Sequence, residues 1–181
     1  MSTESSYQEL LRQDFKSMIE AIDVSDLNKQ FLRSRWLDQV LWMDRRSERA
    51  QKWYYILRLT SITGGIIIPA LVSLNLKSQA ASTSTFIPWI TFAIGLLVAI
   101  TGTVEEFFHF GERWRHYRQA AEWLKIEGWR FFQLSGPYHQ YTSHADAFAD
   151  FTSRVEEILK HEVDIYISEV MREKPKETKA Q

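Results

Sequence analysis

Cysteine is absent from the 181 residues, which excludes disulfides and thiolate metal sites and leaves the redox compartment open. Glycine and proline are scarce, at seven and four. Two of those glycines, Gly64 and Gly65, fall inside an apolar run, so no glycine-rich loop is left to cradle a phosphate. Charge of one sign is not in excess: 22 basic against 23 acidic side chains leave a net charge of −1, and no basic surface points to nucleic acid. There is no G-x-S-x-G, no His-Glu-x-x-His and no internal repeat. The opening MSTESSYQELLRQDF has neither a basic n-region nor an apolar h-region, so no signal peptide is expected. With no catalytic motif in sight, the expectation is a protein that is not an enzyme and carries no cofactor and no metal.

What the chain does have is two long apolar runs. Residues 59–76 read LTSITGGIIIPALVSLNL and residues 86–104 read FIPWITFAIGLLVAITGTV. Each has about the 18 residues that a membrane-crossing helix requires. A buried hairpin in a soluble core is the alternative. Soluble helices, however, usually keep one polar face, and these runs are apolar almost all round. The first basic cluster, Arg45, Arg46, Arg49, Lys52 and Arg58, precedes the first run. A second, Arg113, Arg115 and Arg118, follows the second run, while the 77–85 connection carries only Lys77. The positive-inside rule then puts both termini in the cytoplasm and the loop outside. Trp53, Tyr54, Tyr55 and Trp89 stand where interfacial aromatics belong.

The expected architecture is all-α: a two-helix transmembrane hairpin whose helices extend into a cytoplasmic antiparallel stalk, with added N- and C-terminal helices. Residues 1–24 hold an amphipathic helix with Tyr7, Leu11, Phe15, Met18 and Ile22 on one face. Ser25 and Asp26 give an N-cap signal. From there, Trp36, Val40, Met43, Ser47, Ala50, Tyr54 and Leu57 keep a 4-3-4-3 spacing over 25–58, continuous with the first span. Phe110, Trp114, Tyr117, Ala121, Leu124, Gly128 and Phe131 repeat that spacing over 105–135, continuous with the second span. Each arm would reach roughly 40 Å at ~1.5 Å per residue. Ser135-Gly136-Pro137 stops the helix, a last helix covers 143–172, and the charged tail 173–181 is expected to be disordered.

Chemistry concentrates at the inner end of the second run. Glu105 and Glu106 sit at the edge of the hydrocarbon, where a carboxylate needs water, a cation or a partner. Glu106 lines up with Gly95, Ala99 and Gly102 and with His109, a small-then-polar stripe suited to close helix packing or to a pore wall, and Glu105 points away from it. Glu106 is therefore the first candidate for a cation-favouring ring, with Glu105, Thr101, Thr103 and His109 as further pore candidates. The plainer alternative is that both carboxylates end the span and pair with Arg113 or with arginines of the neighbouring helix. Gly64, Gly65 and Pro69 are candidate hinges in the first span. Glu106-Phe107-Phe108-His109 matches the Glu-x-x-His spacing of di-metal bundles, but the second such motif is missing.

The segment EEFFHFGERWRHYRQAAEWLKIEGWRFFQLSGPY, with Trp114-Arg115, Tyr117-Arg118, Glu122, Leu124-Lys125, Glu127 and Gly136-Pro137-Tyr138, resembles the SLATT superfamily of bacterial two-transmembrane proteins. The chain is most similar to its stand-alone branch, classed as a domain of unknown function. RSRWLDQVLWMDRRSERAQKWYYILRL and the last helix, with Phe148, Arg154, Glu156 and Glu162, add to the likeness, which covers most of residues 25–170. The resemblance implies a membrane effector that oligomerises into a pore in the bacterial inner (plasma) membrane. It supplies no catalytic residues. No fused sensor domain is expected, which would set the chain apart from the multi-domain members and put nucleotide gating in doubt.

Two functions follow as expectations. The first is a homo-oligomeric channel, cation-favouring, with the lipid bilayer, further copies of itself and permeant ions as partners and its cytoplasmic helices assembling or gating it. The second is a membrane-anchored scaffold or adaptor whose helices bind a cytoplasmic protein partner.

Overall fold

The computed structural model describes residues 3–79 and 86–173. Among the described residues six α-helices follow one another: α1 (Thr3–Ala21), α2 (Asp26–Phe31), α3 (Asp38–Gln79), α4 (Phe86–Phe108), α5 (Phe110–Phe132) and α6 (His144–Glu173). A π-helical turn, Leu32–Leu37, joins α2 to α3, and a 3-10 turn, Gly136–Tyr138, lies between α5 and α6. No strand occurs among the described residues. The expected tail beyond residue 173 and most of the expected loop lie outside the described residues; helix α3 takes up the loop's first three positions, 77–79. The chain divides into two compact units, Met1–Arg46 with His116–Gln181, and Ser47–Arg115.

In the first unit, local chemistry sets the helix ends. Ser25 caps α2, its Oγ accepting from the Asn28 N–H at 3.3 Å, and Asp26 in the first turn suits the positive end of the helix dipole. Ser143 caps α6, accepting from the Asp146 N–H at 3.2 Å and donating to the Asp146 carboxylate at 2.7 Å. Past the end of α5, Leu134 and Gly136 adopt left-handed φ values of 45° and 58°, and the Ser135 N–H returns to the Arg130 carbonyl at 2.9 Å. This sharp reversal sends the Tyr138 ring into the core, where it is fully buried.

The core is aromatic. Trp36, inside the π turn, meets Phe15 edge-on at 4.9 Å, Phe132 at 5.7 Å and Phe151 at 6.1 Å, and Phe131 stacks on Phe151 at 4.3 Å. Leu11, Phe15 and Ile19 of α1, Ile22 just past its end, and Phe151, Val155 and Leu159 of α6 complete it. Trp36, Val40 and Met43 of the first periodic stripe and Ala121, Leu124, Gly128 and Phe131 of the second are buried as the spacing predicts. They meet in one core with α1 and α6 rather than as a bare pair of helices. One glycine contact and one hydrogen bond show how close Trp36 comes to α5. A Cβ on Gly128 would fall 2.0 Å from Cζ2 of Trp36, and the Trp36 indole N–H donates to the Leu124 carbonyl at 2.9 Å.

In the second unit, α3 meets α4 and the start of α5 through partners whose numbers fall as the α3 numbers rise, so the helices run antiparallel. Ser47 donates to the Trp114 carbonyl at 3.2 Å, Trp53 stacks on Phe110 at 6.4 Å, and Ser61 lies 3.1 Å from Thr101. A Cβ on Gly64 would fall 2.2 Å from Cγ2 of Val98. The expectation of one continuous helix through residue 109 is corrected here. His109 takes a left-handed φ of 48° and separates α4 from α5. Its N–H still bonds the Glu105 carbonyl at 3.0 Å, while its own carbonyl accepts from Glu112 and Arg113 at 3.0 and 3.1 Å. One residue thus closes α4 and opens α5. By contrast α3 stays helical through Gly64, Gly65 and Pro69.

Candidate functional site

An open groove of about 770 Å³ lies at the α4–α5 break, inside the second unit. Gly102, Glu105, Glu106 and His109 form one wall, at i, i+3, i+4 and i+7 of a single helical face. Tyr54, Tyr55 and Arg58 of α3 form the other, and Gly111, Glu112, Trp114 and Arg115 of α5 close one end. Gly111 lets α5 lie against the Tyr54 ring, since a Cβ there would come 2.9 Å from Cε2. Sequence reasoning separated Glu105 from Glu106 because adjacent helical residues diverge by roughly 100°. Both carboxylates line the groove, set about 100° apart around α4.

The groove holds both signs of charge. Arg58 and Arg115 face Glu105, Glu106 and Glu112. No ion pair joins any of these five among the described residues, nor is either Glu105 or Glu106 paired with Arg113. No group of three His, Asp or Glu side chains suited to a metal occurs among the described residues.

The other sequence candidates sit elsewhere. Thr101 is buried, donates to the Val98 carbonyl at 2.9 Å and receives the Ser61 hydroxyl. It faces α3 rather than an open surface. Thr103 is exposed and turns its hydroxyl back to the Ala99 carbonyl at 2.9 Å. Gly95 and Gly102 have nothing within 4 Å of a built Cβ, and Ala99 is exposed, so no side chain packs tightly on the small stripe among the described residues. The close helix approach is at Gly64 instead.

Sequence reasoning missed two buried polar clusters in the first unit. Lys125 Nζ donates to Asp44 at 3.0 Å and to Glu122 at 3.4 Å, with Arg118 3.5 Å from Asp44. Glu127 accepts from the Tyr138 hydroxyl and has Arg130 and Arg154 at 3.7 and 3.8 Å. Burial, then the hydrogen bond to Glu127, pushes the Tyr138 hydroxyl well above the ordinary tyrosine range. At the surface, Arg35 makes a two-pronged bond to Glu156, at 2.8 and 2.7 Å. That bond holds the Glu156 carboxyl below its usual value and raises the guanidinium. The signal was present in the sequence: Glu122, Lys125 and Glu127 are charged residues set beside the apolar stripe of α5, and Tyr138 follows the Gly136-Pro137 stop. They are the residues of the recognisable segment, and here they hold the fold together. A second groove in this unit, also about 770 Å³, is lined by Trp42, Met43, Leu159 and Val163 with Arg45 and Arg46 among its charged residues.

The helical run Asp26–Leu74 and α4 are each long and apolar enough to cross a membrane. Only 11% and 6% of their most apolar windows are buried within the protein. No curated protein and no solved structure matches the chain. Residues 38–146, more than half of the chain, match the family described as Protein of unknown function (DUF4231), and they span α3, α4, α5 and both polar clusters except Arg154. The chain belongs to that family, DUF4231, whose function is unknown.

Proposed function

We propose that this chain is a two-span protein of the bacterial inner (plasma) membrane whose copies assemble into a cation-favouring channel. Residues 59–76 and 86–104 cross the bilayer as a hairpin, both termini are cytoplasmic, and the flanking parts of α3 and α5 serve as a stalk for assembly or gating. The observation that carries this reading is the exposure of the apolar windows. Ile62, Ile66, Phe92, Leu96, Leu97 and Ile100 all face outward, and water does not tolerate so large an apolar surface. Hydrocarbon does, and helices satisfy their own backbone there.

Two spans cannot enclose a water-filled path, so conduction requires a ring of copies. Glu106, exposed at the end of the second apolar run, is the selectivity candidate, with Glu105 and His109 beside it in the groove. The SLATT-type resemblance agrees with such a role. Ion flux into vesicles carrying the purified chain, against protein-free vesicles, is the test. Cation-selective flux is expected, and Glu106→Gln should lower the selectivity while leaving assembly intact. Absence of flux across voltages and pH values from an assembled, correctly oriented protein removes the channel.

The second reading is a membrane-anchored scaffold. It is favoured by the groove in the first unit, where Trp42 and Val163 are exposed beside Met43 and Leu159. A monomer or dimer in detergent supports the scaffold, and a larger ring supports the channel.

A further inference from the structure

We infer that the groove at the α4–α5 break is a binding site for the headgroup of a phosphoethanolamine phospholipid. This rests on the membrane reading above and names a ligand for the same groove. Arg58 immediately precedes the first apolar run and Glu105 immediately follows the second. If those runs cross the bilayer, the groove lies at headgroup depth.

Its lining has the chemistry of a zwitterion site. Two arginines offer forked donors to a phosphate, and guanidinium binds phosphate in two-pronged fashion. Glu105 and its neighbours offer acceptors to an ammonium. The charges line a common volume without pairing across it among the described residues, so a dipolar ligand can bridge them. Tyr54, Tyr55 and Trp114 add the amphipathic rings that favour this depth. A purely anionic headgroup would meet three carboxylates for two arginines. A choline headgroup carries the right charges but has no N–H, whereas a primary ammonium brings three donors to carboxylates that only accept.

The test uses the full chain purified in detergent, with short-chain phosphatidylethanolamine, phosphatidylglycerol and phosphatidylcholine as probes and binding read by native mass spectrometry. Phosphatidylethanolamine should bind about tenfold tighter than the other two, the size of one charge-assisted hydrogen bond. Arg58→Gln should weaken phosphatidylethanolamine and phosphatidylglycerol alike. Glu105→Gln should weaken phosphatidylethanolamine and leave phosphatidylglycerol unchanged or tighter. Arg58→Lys and Glu105→Asp, which keep the charges, should retain the order of preference and stand in if either amide variant loses helical content. Equal binding of all three lipids, or the same loss for every lipid in both variants, overturns the site. Soluble phosphoethanolamine binding as tightly as the lipid overturns the lipid as its source. Alkaline carbonate extraction separates this from the membrane reading. A chain released by carbonate removes the bilayer placement, whereas a retained chain without headgroup preference removes only the site.

Discussion

Trp36 occupies the space that a side chain at Gly128 would need. Its indole N–H reaches the Leu124 carbonyl at 2.9 Å, and a built Cβ on residue 128 would stand 2.0 Å from the ring. Substituting Gly128→Ala should gain about 1 kcal/mol of helix propensity. The clash costs more, because Trp36 is fully buried among Phe15, Phe132 and Phe151 and has nowhere to move. We expect a net loss of about 1–3 kcal/mol, the usual range for overpacking, measured by denaturant unfolding of the full chain in detergent. A gain in stability would show that Trp36 is not held on this helix.

The Asp44–Lys125 pair predicts an asymmetry between single and double variants. Lys125→Met leaves a buried carboxylate facing only a half-exposed arginine at 3.5 Å, and the cost should approach the ~3 kcal/mol typical of an orphaned buried charge. Adding Asp44→Leu should recover most of that loss, since two apolar groups can replace a buried pair at little cost. A double-mutant cycle reads the coupling, and additive losses would argue against the pair.

Tyr138 and Glu127 give an alkaline limit. The Tyr138 hydroxyl is raised in the folded chain, so the unfolded chain ionises first, near pH 10 or about the reference value. The stability that this group contributes is complete below that pH and declines as pH rises through it. Tyr138→Phe should lower stability at neutral pH by about 1–3 kcal/mol, because Glu127 stays buried without its donor, and should flatten the decline above pH 10.

Arg35 and Glu156 act at the other end of the scale. The carboxyl is lowered in the folded chain, so its contribution is present above the ordinary glutamate value and is lost as pH falls through its depressed one. Both side chains are nearly half exposed, so the effect is small and salt-sensitive. Comparing wild type with Glu156→Gln between neutral and acidic pH should show a shallower acid decline in the variant. Parallel curves would mean that the pair contributes nothing.

His109 holds a backbone conformation that L-residues adopt at roughly 1–2 kcal/mol of cost. His109→Gly should therefore keep or raise the melting temperature, and the β-branched His109→Val should lower it. The reverse order would mean that α4 and α5 can join without the break.

The helices, their caps at Ser25 and the burial of both periodic stripes were legible in the sequence, because apolar spacing and a side-chain cap are local properties. The break at His109 was not: no glycine or proline marks it, and the chain on either side keeps helical periodicity. The π turn was hidden for the same reason. Of the candidate site, Glu105, Glu106 and His109 were legible as polar residues at the end of an apolar run. Arg58, Tyr54 and Arg115 could be assigned to the same groove only once the antiparallel register of α3 against α4 and α5 was known. The contact of Thr101 with Ser61 was not legible, because that partner lies forty residues away.

The π turn at Leu32–Leu37 makes chain length, as well as composition, a determinant of the N-terminal part of the fold. A wider turn accommodates an extra residue relative to α-helical winding. Rewinding these six residues as ordinary α-helix, with none removed, would rotate everything before them by about a third of a turn. Leu32 and the whole of α1 would then present a different side to Trp36. Deleting exposed Ser34, which closes the turn to α-helical winding and keeps the register of α1, should be tolerated better than inserting a residue beside it, so in this segment the count of residues is itself under constraint.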